Sequence, residues 1–215
     1  MTEQENGPRR HVVITGTGRA GTTLLVQILT RLGMDTGYQP ENVQLHQPAR
    51  AGLEWDIRRP DAPYVVKSPR FCDYAREIFR RADIQVDWVI IPMRELGEAA
   101  ASRRQAQERG IRVLPRHKRF LRFFKWIRVP GGLWHSRFGW RQEGILLRQI
   151  YQLNLAISLS SAQVILLNYP LFTRDFTYLF EKLKPCLPRS VGYKTFADAC
   201  HALVKPDWVR PDTRV

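Results

Sequence analysis

The chain has 215 residues, 44% hydrophobic and 25% charged, the balance of one soluble globular domain large enough to bury a core without disulfides or metals. Its 34 Lys and Arg against 20 Asp and Glu leave a formal charge of +14, which favours an anionic partner: a nucleotide, a nucleic acid, an acidic glycan or a membrane surface. No apolar run approaches the roughly 20 residues of a bilayer span, and Cys72, Cys186 and Cys200 are too few and too scattered for a disulfide framework or a metal-ligand pattern.

The first ten residues, "MTEQENGPRR", are polar and include two acidic side chains, so they do not read as a signal or transit peptide. Together with the dispersed thiols they set the expectation of a cytoplasmic protein. Residues 11–15, "HVVIT", read as a short buried strand ending at Gly16. A glycine-rich turn leads into "TTLLVQILTRLG", whose apolar spacing is helical and whose Gly33 fits a C-cap. Residues 34–63 are rich in Gly, Pro, Asn and Gln and read as a long pocket-shaping loop with short helical pieces. "APYVVK" (62–67) reads as a second strand, followed by an "SPR" turn and a helix over 73–82. "VDWVIIPM" (86–93) is a third strand, and "ELGEAAASRRQAQERG" a helix closing near Gly110.

Residues 111–141 are basic, aromatic and broken by Pro115, Pro130 and Gly131-Gly132. They lie in a stretch, Arg103 to Arg148, that holds thirteen Lys and Arg against Glu108 and Glu143. Three readings fit "RHKRFLRFFKWIR": a nucleic-acid arm that stacks and binds phosphate, an interfacial membrane helix, or a lid over a site. The lid reading is preferred, with membrane or anionic-acceptor contact as an addition. A helix over 142–161, a fourth strand over 162–168 ("AQVILLN"), a helix in "DFTYLFEKLKPCL" and a last helix in "KTFADACHALV" complete the chain before a polar tail. Strands alternating with helices predict an α/β domain in three layers, a parallel sheet covered on both faces. Ligands of such sheets bind beyond the carboxyl ends of the strands.

The turn after the first strand carries chemistry. In the phosphate-loop pattern G-x-x-x-x-G-K-[ST], Gly16 and Gly21 take the glycine positions, but Thr22 stands where the lysine belongs and Thr23 where the metal-binding hydroxyl belongs. Gly16, Gly18 and Gly21 let the backbone turn its N–H groups toward an oxyanion, and the helix adds its positive end. Arg19 puts a fixed cation inside the loop, and Thr22 and Thr23 add hydroxyl donors. The missing lysine, and the arginine rather than aspartate at the end of "VIIPMR", argue against Mg²⁺-dependent ATP or GTP hydrolysis. A phosphate donor used without metal is the simpler expectation. A second pair follows the third strand: Arg94 leaves its carboxyl end, and Ser102 lies eight residues on, about two helical turns along. Together they can clamp one terminal phosphate.

At these residues the chain resembles the sulfotransferases. "TGTGRAGTTLL" is similar to their 5′-phosphosulfate loop, in the "GRSGTT" form of carbohydrate and bacterial members, and "IPMRELGEAAASR" is similar to the segment whose arginine and serine bind a 3′-phosphate. "LLNYPLFTRDFTYLFEKL" is a weaker match to the segment before the family's late helix, so the resemblance runs over about residues 12–185. It implies a fold like that of the P-loop NTPases. It also implies in-line transfer of a sulfuryl group from 3′-phosphoadenosine-5′-phosphosulfate (PAPS) to a hydroxyl or amine, with no metal. Gly18, Arg19, Ala20, Gly21, Thr22 and Thr23 would hold the 5′-phosphate, and Arg94 with Ser102 the 3′-phosphate. Arg19 replaces the family's loop lysine, and its role is electrostatic because arginine does not give up its proton.

The reaction also needs a base for the acceptor proton. Residues 34–63 offer Glu41, His46, Glu54 and Asp56; Glu54 is preferred because Leu53 and Trp55 would desolvate it, and His46 is second. Lys67, in a "K-[ST]-P" segment similar to that of bacterial and carbohydrate members, is expected at the sulfate or acceptor, with Arg70 beside it. The family's late "R-K-G" loop is not found; Lys194 is a candidate substitute, and Trp55, Tyr193 and Phe196 are candidates for stacking adenine. The acceptor class is a small molecule, glycan or lipid. Two other readings stay open: a nucleotide kinase or NTPase with an atypical loop, and a non-catalytic anion- or RNA-binding protein.

Overall fold

Four strands form one all-parallel sheet in the order β2-β1-β3-β4: β1 (Arg9–Ile14), β2 (Val65–Lys67), β3 (Ile84–Met93) and β4 (Gln163–Asn168). The computed structural model describes residues 7–42, 52–115, 127 and 129–204. His46, most of the cations of the basic aromatic segment and the polar tail lie outside them.

The sheet is apolar on both faces, as a parallel sheet covered by helices must be. Val12, Ile14, Val65 and Ile90 face one layer, built from α1 (Thr22–Arg31), α5 (Phe176–Leu183) and α6 (Tyr193–Leu203). Val13, Val66, Val89 and Ile91 face the other, built from α2 (Phe71–Ile78) and α4 (Gln142–Ile157). The remaining described helix, α3 (Leu96–Arg112), packs on α4 through Ala99, Ala100 and Leu146. The three cysteines are buried free thiols, each pushed up to about 12 by burial.

Element boundaries differ from expectation where side chains intercept backbone bonds. The second strand shrinks to Val65–Lys67 because Tyr64 N–H donates to the Asp35 carboxylate instead of a strand. The helix expected over 73–82 begins at Phe71, whose amide bonds the Ser68 carbonyl at 3.1 Å. The helix expected to reach residue 161 stops at Ile157: Ser158 and Ser160 hydroxyls donate to the Leu155 and Ile157 carbonyls, taking acceptors that a further turn would use. Pro185 lacks an amide hydrogen, so the helix after Asp175 ends at Leu183 and tightens into a 3₁₀ turn over Lys184–Cys186. Gly33, at φ +80°, closes α1 as expected, and Met34 N–H reaches back to the Leu29 carbonyl. No described helix is long and apolar enough to cross a membrane.

The strand order places the site. From β1 the chain moves outward to β2, then crosses back to β3 on the other side of β1. The connections leaving β1 and β3 therefore diverge, and a crevice opens between them at the carboxyl end of the sheet.

Candidate functional site

The segment after β1 folds back on itself with four residues at positive φ: Gly16 (+124°), Gly18 (+64°), Arg19 (+59°) and Gly21 (+80°). Gly21 is obligatory on two counts, since an added Cβ would also lie 2.6 Å from Phe172 Cζ. It directly precedes α1 and has no side chain to cap the helix's first amides. Arg19 is the costly member, a non-glycine residue in the left-handed region. Two contacts fix it there: Arg94 Nη1 donates to the Arg19 carbonyl at 3.3 Å, and Arg19 Nε donates to Ser102 Oγ at 3.3 Å.

The loop from β1 and the Arg94–Ser102 pair from β3 and α3 thus form one structure. Glu95 caps α3 by accepting from the Gly97 and Glu98 amides, which orients the helix carrying Ser102. Glu98, one turn on, accepts from Arg94 Nε at 3.0 Å, and the Tyr169 ring lies 5.1 Å from the guanidinium. The Arg94 side chain is 7% exposed, so it is held and oriented rather than splayed into solvent.

A second cluster meets the loop from β2. Lys67, buried with 2% of its side chain exposed, donates to Thr23 Oγ1 at 2.8 Å, to Glu54 Oε1 at 2.8 Å and to the Gly52 carbonyl. Burial pushes its pKa below the usual lysine value of 10.5, against the opposing pull of Glu54. Glu54 is not the desolvated carboxyl that its neighbours Leu53 and Trp55 promised: 46% of its side chain is exposed, and it meets the ammonium. The Leu53 side chain turns into the core, at φ +66°, and leaves its neighbour at the rim.

These groups surround a cavity of about 390 Å³, within the usual range for a ligand site. Gly18, Arg19, Gly21, Thr22, Thr23, Glu54, Lys67, Arg94 and Ser102 line it, as does Arg70. Ala20 is fully buried and can offer only its backbone. Of the other base candidates, Glu41 is exposed in a 3₁₀ turn and Asp56 is bound to Arg58, whose hydrogen bonds hold the carboxyl below its usual range. The three aromatics expected to stack a base sit elsewhere. Phe196 is fully buried in the α1–α6 layer, Tyr193 bonds Thr177, and Trp55 packs near Tyr38 and Arg59. Lys194 is exposed and does not reach the cavity wall.

Several lining residues had not been anticipated, Arg109 among them. Trp134 and Tyr169 supply the aromatic walls, with the Arg70 guanidinium 5.0 Å from the Trp134 ring. Arg103, 5% exposed, donates to the Thr17 carbonyl of the loop at 2.6 Å and to Gln149 Oε1 at 3.3 Å. Its Nη1 reaches Gln142, which in turn exchanges two hydrogen bonds with the Trp134 backbone. All these acceptors are neutral, and burial lowers the Arg103 pKa to about 10. The signal for Arg103 was present in the sequence: Ala99, Ser102, Arg103, Ala106 and Gly110 repeat at helical spacing, and small residues on a buried stripe leave room for a long cation.

The cavity wall therefore carries Arg19, Lys67, Arg70, Arg94, Arg103 and Arg109 against Glu54 alone among the described lining residues. Such a lining suits a ligand with several negative charges. Among the described residues no three His, Cys, Asp or Glu side chains gather as a metal site. No protein-family profile, curated protein or solved structure matches the chain.

Proposed function

We propose that the protein is a sulfotransferase of P-loop-like fold that moves a sulfuryl group from PAPS to a hydroxyl or amine of a small-molecule, glycan or lipid acceptor. The observation that carries this reading is the joining of Arg94 and Ser102 to the glycine loop through Arg19. A donor with phosphates at both its 5′ and 3′ positions needs two anion sites at a fixed separation, and here one arginine backbone and side chain link the two. The 5′-phosphate fits the loop amides, Thr22 and the first turn of α1; the 3′-phosphate fits Arg94 and Ser102.

In the reaction the acceptor oxygen or nitrogen bonds to sulfur as the bond from sulfur to the 5′-phosphate oxygen breaks. That electron pair stays on the departing phosphate, and the product is adenosine 3′,5′-bisphosphate. Glu54, which lines the cavity, takes the acceptor proton. Lys67 and Arg19 stabilise the charge that develops on the departing oxygen, and the Lys67 ammonium also holds Glu54 in place. Arg103 contributes a buried cation behind the loop, where it fixes the Thr17 carbonyl and strengthens the field on a bound anion.

A kinase-type reading would have a metal ion on the Thr23 hydroxyl. That hydroxyl accepts from Lys67, so a cation of the chain already fills the role. The test is release of adenosine 3′,5′-bisphosphate from PAPS in the presence of a panel of phenols, sugars and amines, run beside ATP with Mg²⁺. Acceptor-dependent release from PAPS supports the reading; phosphoryl transfer from ATP without any turnover of PAPS overturns it.

A further inference from the structure

One face of the sheet is left partly uncovered at the β4 edge. Val164 and Leu166 pair in register with Val89 and Ile91, so they lie on the side of the sheet that α2 and α4 cover, yet 40% and 53% of their surface is exposed. Helix α4 approaches from the same side. Its inner face is buried through Leu146, Leu153 and Ala156, but Leu147, Tyr151 and Leu155 form a ridge at successive i, i+4 positions on its outer face. Leu159 continues the ridge just past the helix end, and Tyr151 and Leu159 are 68% and 70% exposed. Only four residues separate Leu159 from Val164, so helix ridge and strand edge meet where α4 ends.

Most of this surface is uncharged, with Arg148 and Glu143 at the Leu147 end of the ridge. From Gln149 to Thr173 the chain contains no Lys, Arg, Asp or Glu, although a quarter of all residues are charged. A molecule of formal charge +14 repels its own copies over most of its surface, and an uncharged apolar face is where two copies can meet. The same feature disfavours an anionic membrane or an acidic partner, which would dock on cations. The six exposed side chains present on the order of 600 Å² per copy, close to the roughly 800 Å² per partner of a standard interface.

We propose that this α4–β4 face binds a second copy of the chain, forming a two-fold dimer in which the α4 ridges pack antiparallel against each other. The inference is independent of the reaction assigned above. The face lies on the outer side of α4, the helix whose inner side carries Gln142 and Gln149 to Arg103, so the two cavities stay open in the dimer.

Sedimentation equilibrium of the full chain over a dilution series tests it, at low and high salt. The expected result is a species of twice the 25.1 kDa chain mass that dissociates on dilution and tightens as salt screens the residual repulsion. Tyr151→Glu and Leu159→Glu should each give monomers with an unchanged circular dichroism spectrum; Leu166→Lys replaces either one that fails to fold. A monomeric wild type, dimers that persist in the charged variants, or association weakened by salt would each overturn the proposal. So would a wild-type monomer that floats with neutral phosphatidylcholine vesicles through the same residues.

Discussion

Lys67 Nζ stands 2.8 Å from Thr23 Oγ1, so an ammonium carried in from β2 meets the second residue of the helix that follows the glycine loop. In a phosphate loop of the usual kind the lysine belongs one residue earlier, at position 22, and the hydroxyl at position 23 serves a metal. Here the two are brought together from different strands. The loop without its lysine still has an ammonium beside it, supplied by Lys67.

Because burial lowers the Lys67 pKa, activity and stability should respond to alkaline pH in opposite directions. Between the lowered value and the ordinary 10.5, the unfolded chain binds a proton that the folded chain has released, so this site's contribution to stability rises with pH. Over the same window the proposed transfer would lose the Lys67 cation, and kcat should fall. Melting temperature and initial rate measured together across that range check both limbs. Lys67→Met should lower kcat about 10²–10³-fold, the magnitude of one lost charge-stabilising contact, and flatten both profiles.

Glu54→Gln keeps a hydrogen-bond acceptor for Lys67 but cannot take a proton. Turnover should fall by about 10²–10⁴-fold while affinity for adenosine 3′,5′-bisphosphate is unchanged. Full activity in this variant would remove Glu54 from the mechanism, and His46→Gln is then the comparison to make.

Arg103 is a buried cation whose bonded acceptors are all neutral, so an anionic ligand in the cavity would offset the cost of burying it. Arg103→Met should weaken bisphosphate binding by roughly tenfold, about 1.4 kcal/mol. The rise in melting temperature on adding bisphosphate should shrink more than the melting temperature of the free protein drops. A variant that loses stability but keeps the full ligand-induced shift would assign Arg103 a purely structural role.

The loop geometry predicts a two-part defect at Gly21. Gly21→Ala incurs both the positive-φ penalty and the contact with Phe172, together about 1–3 kcal/mol. Adding Phe172→Leu should relieve the contact and leave the φ penalty, at the separate cost of a smaller core side chain. A double-mutant cycle read by urea unfolding separates the terms.

The parallel sheet was legible because each buried strand is a run of β-branched residues closed by Gly, Pro or a charged residue. The glycine loop was legible because its spacing is local. Arg94 and Ser102 were legible for the same reason, lying on one strand end and one helix. Less visible was anything fixed by contacts across the sheet. The Lys67–Glu54 pair joins residues on two sides of a turn, and Leu53 entering the core sends Glu54 outward, which no neighbour pattern revealed. Arg103 was passed over because it sits in a run of arginines, and only its helical phase distinguishes it from the solvated ones. The aromatics were misplaced because apolar periodicity alone cannot tell Phe196 in a core from Trp134 in a wall.

The proposed function requires one site that reads phosphate at two positions of a donor nucleotide. Calorimetric titration of wild type and Arg94→Ala with adenosine 3′,5′-bisphosphate and with adenosine 5′-monophosphate tests it most directly. Wild type should bind the bisphosphate about 10- to 100-fold more tightly, the worth of charge-assisted bonds to one phosphate, and Arg94→Ala should abolish the difference. Equal affinity for the two ligands in wild type, or a preference for ATP with Mg²⁺ over both, would contradict the account.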